Sequence, residues 1–443
     1  MFHRVPGEKD AARRKTTLIP QVIAAEARRN FSRSIHFREN DFPVLPPAED
    51  RKSRLLYIHI PFCESLCPYC SFNRVLFQEA LCRSYFSALR KEIHLYKELG
   101  YTFSGIYVGG GTPTVLVDEL VETLETAKAC FPIREISVET NPNHLVPPVL
   151  EPLQRAKVNR LSVGIQSFDD GLLRSMGRYD AYGSGEEIRC RLQEAKGLFD
   201  TLNADMIFNF PAQSPEILDR DLETLLRLET DQVTYYPLMV SDMTRNAMKR
   251  TFGMVDFRRE RAYYEKIVAA LVPPYRFSSA WCFSRKRGMI DEYIVDYDEY
   301  AGLGSGSIGY MNGRCYANTF DIAGYRDRLD RGELPLMASR SFSLTDRARY
   351  DFIMRLFGMK VDEAFLREKY EKPILPLLWK DILAFTLVGG IRRRNGVFEL
   401  TPRGTYYWVV IMREFFTAVN NFRSFCLNRA GGSSTGQESG EGK

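Results

Sequence analysis

The chain has 443 residues, 44% of them hydrophobic and 26% charged, with a formal net charge of +5 at pH 7. This composition is typical of a soluble globular protein, the length predicts one large domain with a smaller one, and the small net charge does not indicate nucleic-acid binding. No apolar run approaches the about 20 residues of a membrane-spanning helix, and the N-terminus lacks the apolar core of a signal peptide. We therefore expect a cytoplasmic protein whose nine cysteines stay reduced and can serve as ligands.

The first 275 residues divide into a leader and a region in which strand patterns alternate with helix patterns. Residues 1–50 predict a polar leader with one helix over residues 20–31. From residue 51 to 275, apolar strand-like runs are separated by helical patterns. The six predicted strands begin at Leu55, Gly105, Glu135, Arg160, Ala204 and Gln232. Strands spaced by helices form parallel βαβ units, so this region predicts an α/β fold with a partial (β/α)6 barrel.

The rest of the chain differs in pattern. Residues 276–335 read as a connector with the glycine-rich sequence AGLGSGSIGY. Residues 336–428 combine helical patterns with a hairpin-like GGIRRRNGVFELTPRG, an order typical of a winged-helix-like α+β domain. Residues 429–443 are rich in glycine and serine, which predicts a disordered tail.

Three cysteines, Cys63, Cys67 and Cys70, follow the first strand with the spacing CxxxCxxC. A structural zinc site needs four ligands, and His59 could be the fourth only if it left its strand. An iron–sulfur cluster normally takes four thiolates, so three would leave one iron open for a substrate. A zinc or redox site remains the alternative.

Polar or glycine-rich residues also mark the ends of the later strands. These include the turn Gly109–Thr114, Glu139, Gln166 and Asp205. Because the chemistry of a (β/α) barrel lies at the carboxyl ends of its strands, we expect these residues to share one site. Each one alone could equally be a turn residue or a helix cap.

These motifs together resemble the radical S-adenosylmethionine (SAM) superfamily. The segments YIHIPFC, GGGTPT, ETNP, RLSVGIQSF, DMIFNFP and GLGSGSIG are similar to the oxygen-independent coproporphyrinogen III oxidase family. The resemblance implies a 4Fe-4S cluster on Cys63, Cys67 and Cys70, with SAM on the open iron and two SAM molecules side by side. The residues at first-SAM positions are Tyr57, Gly110, Glu139 and Ile308. The residues at second-SAM positions are Tyr69, Gly111, Thr112, Gln166, Arg178 and Asp205.

Two departures from that family narrow the expected activity. Phe72 stands where the coproporphyrinogen oxidases continue to CxxxCxxCxC, and the HNxxYW motif of the heme-chaperone relatives is missing before the glycine-rich loop. The remaining resemblance is to the class C methyltransferases, which use one SAM as radical source and a second as methyl donor. The stretch SSAWCFSRKRGMIDEYIVDYDEY is similar to the menaquinone methyltransferases that modify ring carbon 8.

A quinone substrate would need an apolar groove and a basic face at its membrane. The apolar run over residues 405–425 and the basic residues 392–394 are candidates, although a core helix and a solvated face are the commoner outcomes. Trp281 is a candidate for stacking on an aromatic substrate and Cys282 for quenching a product radical. Buried packing is the alternative for both.

Other activities stay open at this point. One is a tetrapyrrole enzyme, similar to an anaerobilin synthase or a coproporphyrinogen III dehydrogenase, and another is a heme carrier without turnover. For the enzymes, the resemblance implies a small-molecule substrate, quinone or else tetrapyrrole, and an external one-electron donor such as flavodoxin or ferredoxin. It implies no nucleic-acid partner, and a peripheral contact with the inner face of the membrane is an option.

Overall fold

The protein is described by a computed structural model that covers residues 6–34, 45, 48, 54–286 and 297–432. Most of the predicted tail lies outside these residues, and so do residues 287–296 of the segment that resembles the menaquinone methyltransferases. Within the described residues, no helix has the length and hydropathy needed to cross a bilayer.

The core is a 12-stranded sheet that contains all six predicted strands. The strands up to residue 237 are β1 Arg54–Ile60, β2 Phe62–Cys63, β3 Val75–Leu76, β4 Gly105–Gly110, β5 Glu135–Thr140, β6 Arg160–Gln166, β7 Thr201–Phe208 and β8 Gln232–Pro237. Strands β1, β4, β5, β6, β7 and β8 are adjacent in that order, and every pair is parallel. The small strands β2 and β3 pair only with each other in the described chain. Apolar runs form these strands because parallel strands are covered on both faces.

Helices connect the parallel strands. Ser184 forms a reciprocal capping box with Glu187 at one of them, and Ser214 caps another whose first residue is Pro215. The helices up to residue 271 are α1 Pro6–Ser34, α2 Glu79–Glu98, α3 Val117–Cys130, α4 Pro147–Arg155, α5 Asp170–Ser175, α6 Tyr179–Tyr182, α7 Gly185–Ala195, α8 Pro215–Leu228, α9 Asp242–Phe252 and α10 Phe257–Leu271. The alternation confirms the α/β fold with a partial barrel.

The predicted connector contributes strands to both edges of the same sheet. Its elements are β9 Arg276–Phe277, β10 Cys282–Ser284, β11 Glu299–Leu303, β12 Ile308–Met311, β13 Arg314–Asn318 and α11 Ile322–Asp330, followed by β14 Leu336–Ser341. Strand β10 lies antiparallel to β8, whereas β11 lies parallel to β1 at the other edge. The buried ion pair of Arg54 with Glu299, at 3.1 Å, ties β1 to β11. The glycine-rich loop after β11 thereby reaches the carboxyl end of β1.

The C-terminal part has the predicted mixture of helices and a hairpin. Its elements are α12 Leu344–Phe357, β15 Lys360–Asp362, α13 Glu363–Tyr370, α14 Trp379–Leu387, β16 Ile391–Arg394, β17 Val397–Leu400 and α15 Pro402–Gly432. The three strands form a separate sheet in the order β15-β17-β16. Helix α15 is largely buried, so the apolar run over residues 405–425 is a core helix, and Phe415 and Phe416 within it line a cavity. In the basic cluster, Arg392 pairs with Glu399 and Arg393 with Glu363.

The N-terminal helix packs against the C-terminal one. Arg28 Nε contacts Glu414 Oε2 at 2.8 Å, and the rings of Phe31 and Phe415 meet edge to face at 5.2 Å. Part of the predicted leader is therefore folded onto the body of the protein.

Candidate active site

The cysteine loop, residues 61–75, follows β1. Cys63 lies in β2, and a turn brings Cys70 N to 3.1 Å from Cys67 O. Arg74 donates to the carbonyl oxygens of Cys67, at 2.6 Å, and Cys70, at 2.9 Å. Arg74 therefore holds the loop in shape from within. In the sequence, the only sign of this role is that Arg74 is a basic residue close to the cysteine motif.

A buried guanidinium and a hydroxyl approach the sulfur atoms. Arg178 Nη1 donates to Cys67 Sγ at 3.5 Å, and its Nη2 donates to Asn141 Oδ1 at 3.0 Å. Thr112 Oγ1 donates to Cys63 Sγ at 3.7 Å. Burial raises the pKa of the Cys63 thiol to about 11, and the Thr112 hydrogen bond opposes that shift. Cationic and hydroxyl donors of this kind favour thiolates over thiols.

The surroundings of the cysteine loop suit an iron–sulfur cluster, an anionic group that takes its thiolates on different iron atoms. Arg178 Nε and Arg74 Nη1 are buried and lack a hydrogen-bond partner, which leaves N–H donors for an anionic group beside the loop. His59 is no fourth ligand, because its ring nitrogens already contact a hydroxyl at 3.0 Å and a carbonyl at 2.8 Å.

The glycine turn after β4 packs its backbone against the cysteine loop. A Cβ atom on Gly111 would lie 2.6 Å from Phe62 O and 3.0 Å from Cys63 Sγ. A Cβ atom on Gly109 would lie 2.8 Å from the carboxylate of Glu139. The carboxyl ends of the parallel strands, with the loops that follow them, form what we call the rim. Any larger residue at these two positions would push the rim apart, so the glycines are required by the close approach.

Two partly buried carboxylates, Glu139 and Asp205, lie on β5 and β7, the two strands that flank β6. Glu139 accepts hydrogen bonds from Tyr107 OH at 2.8 Å and from Gly110 N at 3.2 Å. Burial raises the pKa of Glu139 to about 7, with a contribution from Asp205. Asp205 accepts from Ser162 Oγ at 2.6 Å. A carboxylate in either position can bind an ammonium group or ribose hydroxyls.

The other predicted SAM contacts gather on the same rim. Most lie at or after the carboxyl ends of the parallel strands, and this group comprises Tyr69, Gly110, Gly111, Thr112, Glu139, Gln166 and Arg178. Gln166 has a positive φ of 75° at an irregularity between β6 and β7. Tyr57 lies inside β1, with its hydroxyl 3.0 Å from His59 Nδ1, and Ile308 begins β12. Their contacts with SAM stay predictions.

Trp281 and Cys282 do not lie at an entrance. Both side chains are fully buried. Trp281 packs against the rings of Phe357, at 4.8 Å, and Tyr236, at 5.3 Å. Cys282 Sγ accepts a hydrogen bond from Thr234 at 3.6 Å. The packing alternative describes both residues, and neither lines the cavity beside the rim.

That cavity has a volume of about 630 Å³ and lies between the rim, the C-terminal part and α1. Its lining is mostly aliphatic and aromatic. On the rim side it is lined by Tyr57, His59, Phe72 and Ile308, and on the other sides by residues that include Ile23, Phe31, Tyr350, Met354, Phe385, Phe415 and Phe416. Among the charged lining residues, Arg349 contacts Asp381 at 3.2 Å. The apolar run over residues 405–425, a candidate groove from sequence, supplies one wall of this cavity, and the other walls come from segments far apart in the chain.

Comparison with known proteins finds similarity along most of the chain. The sequence model of the Radical SAM superfamily matches residues 57–225. Heme chaperone HemW of Bacillus subtilis is 28% identical over 370 residues, which is 79% of this chain and 95% of that protein. HemW of Escherichia coli is 34% identical over 325 residues, which is 69% of this chain and 82% of that protein.

One oxidase sequence and one solved oxidase structure, from two organisms, are also similar to this chain. The oxygen-independent coproporphyrinogen III oxidase of Helicobacter pylori is 25% identical over 343 residues, which is 71% of this chain and 74% of that protein. The solved structure of Escherichia coli coproporphyrinogen III oxidase (HemN), described as a radical SAM enzyme, superposes with a TM-score of 0.69 at 21% identity, covering 87% of this chain and 92% of that one. None of these relatives is named as a methyltransferase, so the expected likeness to menaquinone methyltransferases gains no support from them.

Proposed function

Because this chain belongs to the radical SAM superfamily, in the branch of the coproporphyrinogen III oxidases and heme chaperones, we propose that it is an enzyme acting on a large, mostly apolar ring compound. The observation that carries this proposal is the cavity beside the cysteine loop. Tyr57, Phe72 and Ile308 line it, and Phe72 follows the last cysteine of the motif by two residues. A substrate in that cavity would lie next to the SAM positions.

The chain's own residues bind and orient the reactants. Cys63, Cys67 and Cys70 would hold a 4Fe-4S cluster, which supplies the electron for reductive cleavage of SAM. Arg178 balances the negative charge that three thiolates bring to a buried site. Glu139 offers its carboxylate to the polar groups of SAM. The apolar cavity wall keeps water from a reactive radical and holds the substrate in one orientation. Holding the reactants in a fixed orientation raises the reaction rate.

Tetrapyrroles are the first substrate class to test. The curated relatives are named for heme and for coproporphyrinogen III. A cavity of about 630 Å³ lies within the usual range for sites that enclose small molecules. A heme carrier without turnover is the non-enzymatic form of the same candidate.

A second candidate is methyl transfer to the ring of a prenylated quinone, with two SAM molecules consumed per turnover. One feature of the cavity favours it: the lining is mostly hydrocarbon. The lining also includes the basic residues Arg33, Arg340, Lys380 and Arg423, which could bind the carboxylates of a tetrapyrrole, so charge does not separate the two candidates. An aromatic carbon that is a poor nucleophile toward a sulfonium is accessible to radical addition, so this reaction suits the family's chemistry.

One product analysis separates these functions. Anaerobically reconstituted protein with SAM and a one-electron donor is given coproporphyrinogen III, heme or menaquinone. 5′-Deoxyadenosine that appears only with a tetrapyrrole supports the first candidate. Equal amounts of 5′-deoxyadenosine and S-adenosylhomocysteine, with a quinone heavier by one methylene, support the second. Heme binding without any SAM cleavage identifies a carrier. A protein that neither cleaves SAM nor binds any of the three compounds would contradict the proposal.

A further inference from the structure

Two helices that border the cavity expose large apolar side chains on their outer faces. On α14, Trp379, Leu383 and Leu387 are 55%, 48% and 76% exposed, and on α1, Leu18 and Val22 are 56% and 65% exposed. Each set recurs every four residues and therefore lies on one face of its helix. We call these five residues the apolar rim. Three large apolar side chains exposed on one face of a nine-residue helix indicate a surface that binds a partner.

The apolar rim adjoins the mouth of the cavity. Val22, Lys380 and Ala384 are exposed and also line the cavity, so the cavity reaches the surface between α1 and α14. Phe385 and Val388, from α14 and the residue after it, line the cavity as well. Helix α14 therefore has an outward apolar face and an inward face toward the ligand space.

Positive charge accompanies these apolar residues. Residues 371–394 contain five basic residues and two acidic residues. Arg392 and Arg393 pair with acidic residues outside this segment, so the positive charge of this surface comes mainly from Lys372, Lys380 and Arg394. The Nζ atom of Lys380 lies 5.6 Å from the centre of the Trp379 ring, and Arg394 is exposed on the adjoining hairpin. Exposed tryptophan and leucine beside lysine and arginine are typical of a helix that lies in the interface of an anionic bilayer.

We propose that the apolar rim docks the protein on an anionic lipid bilayer, with the mouth of the cavity facing the membrane. The charge selects this occupant over a second copy of the chain, because two copies would bring like charges together. The surface differs from the one expected from sequence, since α15 is buried and two of the three arginines in the cluster are paired. The inference deepens the proposed function, because a mouth at the bilayer would admit an apolar substrate directly from lipid.

Tryptophan fluorescence tests this docking in the full-length reconstituted protein. The chain has three tryptophans, and Trp281 and Trp408 are fully buried while Trp379 is exposed. Vesicles of phosphatidylglycerol should shift the emission to shorter wavelength, and bromine on their acyl chains should quench it. Trp379→Phe should abolish both signals while the protein still binds in vesicle flotation.

Matched variants test how much the apolar rim contributes to membrane binding. Leu383→Ser combined with Leu387→Ser should weaken partition into phosphatidylglycerol vesicles by about tenfold or more, because two leucines no longer enter the interface. Met254→Ser, which removes an apolar side chain that is 72% exposed outside the cavity lining, should leave partition unchanged. All of these positions are exposed, and circular dichroism verifies that each variant is folded.

Two results would overturn the proposal. One is wild-type protein that gives no emission shift and no flotation with phosphatidylglycerol vesicles. The other is a wild-type dimer in sedimentation that the double leucine variant converts to monomer, which would assign the face to a second copy. Neither assay needs SAM turnover, so failure here is distinguishable from failure of the proposed enzymatic activity.

Discussion

Cys67 and Cys130 are both free thiols, but only one of them belongs to the cysteine loop. Cys67 is buried beside Arg178, whereas Cys130 ends α3, with its sulfur 3.6 Å from His94 Nδ1. Cys67→Ala should therefore lose iron and SAM cleavage after anaerobic reconstitution, and Cys130→Ala should keep both. Iron and sulfide per chain, together with 5′-deoxyadenosine production, measure the difference. A Cys67→Ala protein that cleaved SAM would refute the ligand assignment.

Glu92 is a buried carboxylate that positions the glycine-rich loop. It accepts hydrogen bonds from Gly304 N at 2.8 Å, Asn318 Nδ2 at 2.8 Å and Tyr325 OH at 2.6 Å. Burial raises its pKa to about 7. A protonated Glu92 carboxyl presents one O–H to these three donors, whereas the amide of Glu92→Gln would present two N–H groups and keep only one acceptor oxygen. The variant should therefore lower the free energy of unfolding by about 1–3 kcal/mol at acidic pH.

The raised pKa also predicts how that effect depends on pH. The folded protein holds the Glu92 proton more tightly than the unfolded chain, whose carboxyl has its usual pKa of 4.5. The wild type therefore loses stability as pH rises from 4.5 to about 7, and the glutamine variant lacks this contribution. The stability advantage of the wild type should shrink across that range in denaturant titrations. Parallel stability curves for the two proteins would show that Glu92 does not titrate in this way.

At the scale of elements, helix α15 contacts the cysteine loop directly. Asn420 Nδ2 donates to Ser71 Oγ at 2.6 Å, and Arg423 Nη1 donates to Ser71 O at 2.8 Å. The neighbouring Asn421 instead bonds Asp242 at 2.7 Å on α9. The C-terminal helix thus stabilises the residue that follows the last cysteine of the motif.

This contact predicts a difference between two adjacent asparagines. Asn420→Ala removes a hydrogen bond of about 1 kcal/mol from the loop, so the reconstituted cluster should bleach several-fold faster when exposed to a chelator. Asn421→Ala should bleach at the wild-type rate, because its partner lies on a different element. Absorbance decay under identical conditions compares them, and equal rates for all three proteins would remove the proposed support of the loop by α15.

At the scale of the whole molecule, the barrel was predictable, and of the cavity only the wall formed by the apolar run over residues 405–425 was a candidate. The six strands are apolar runs separated by helices, a local pattern that survives in the fold, and the cysteine spacing is equally local. The burial of Trp281 depends on Phe357 and Tyr236, which no local pattern brings to it. The same holds for α1: the sequence predicts a helix over residues 20–31 within a polar leader, but not that this helix forms one wall of the cavity. Positions set by contacts between distant segments lie beyond a reading of one sequence.

The three-sided construction of the cavity leads to a final prediction. Helix α1, the rim and the C-terminal helices all contribute side chains to the lining of this cavity, so a bound substrate should stabilise all three together. A ligand at 100 times its dissociation constant stabilises the folded state by about 2.7 kcal/mol, which slows amide exchange through the coupled openings by up to about 100-fold. Hydrogen exchange with and without the identified substrate should therefore slow in α1, α12 and α14. Helix α7, which contributes no residue to the cavity lining, should exchange unchanged. Protection confined to the parallel strands would place the substrate inside the barrel and not in this cavity.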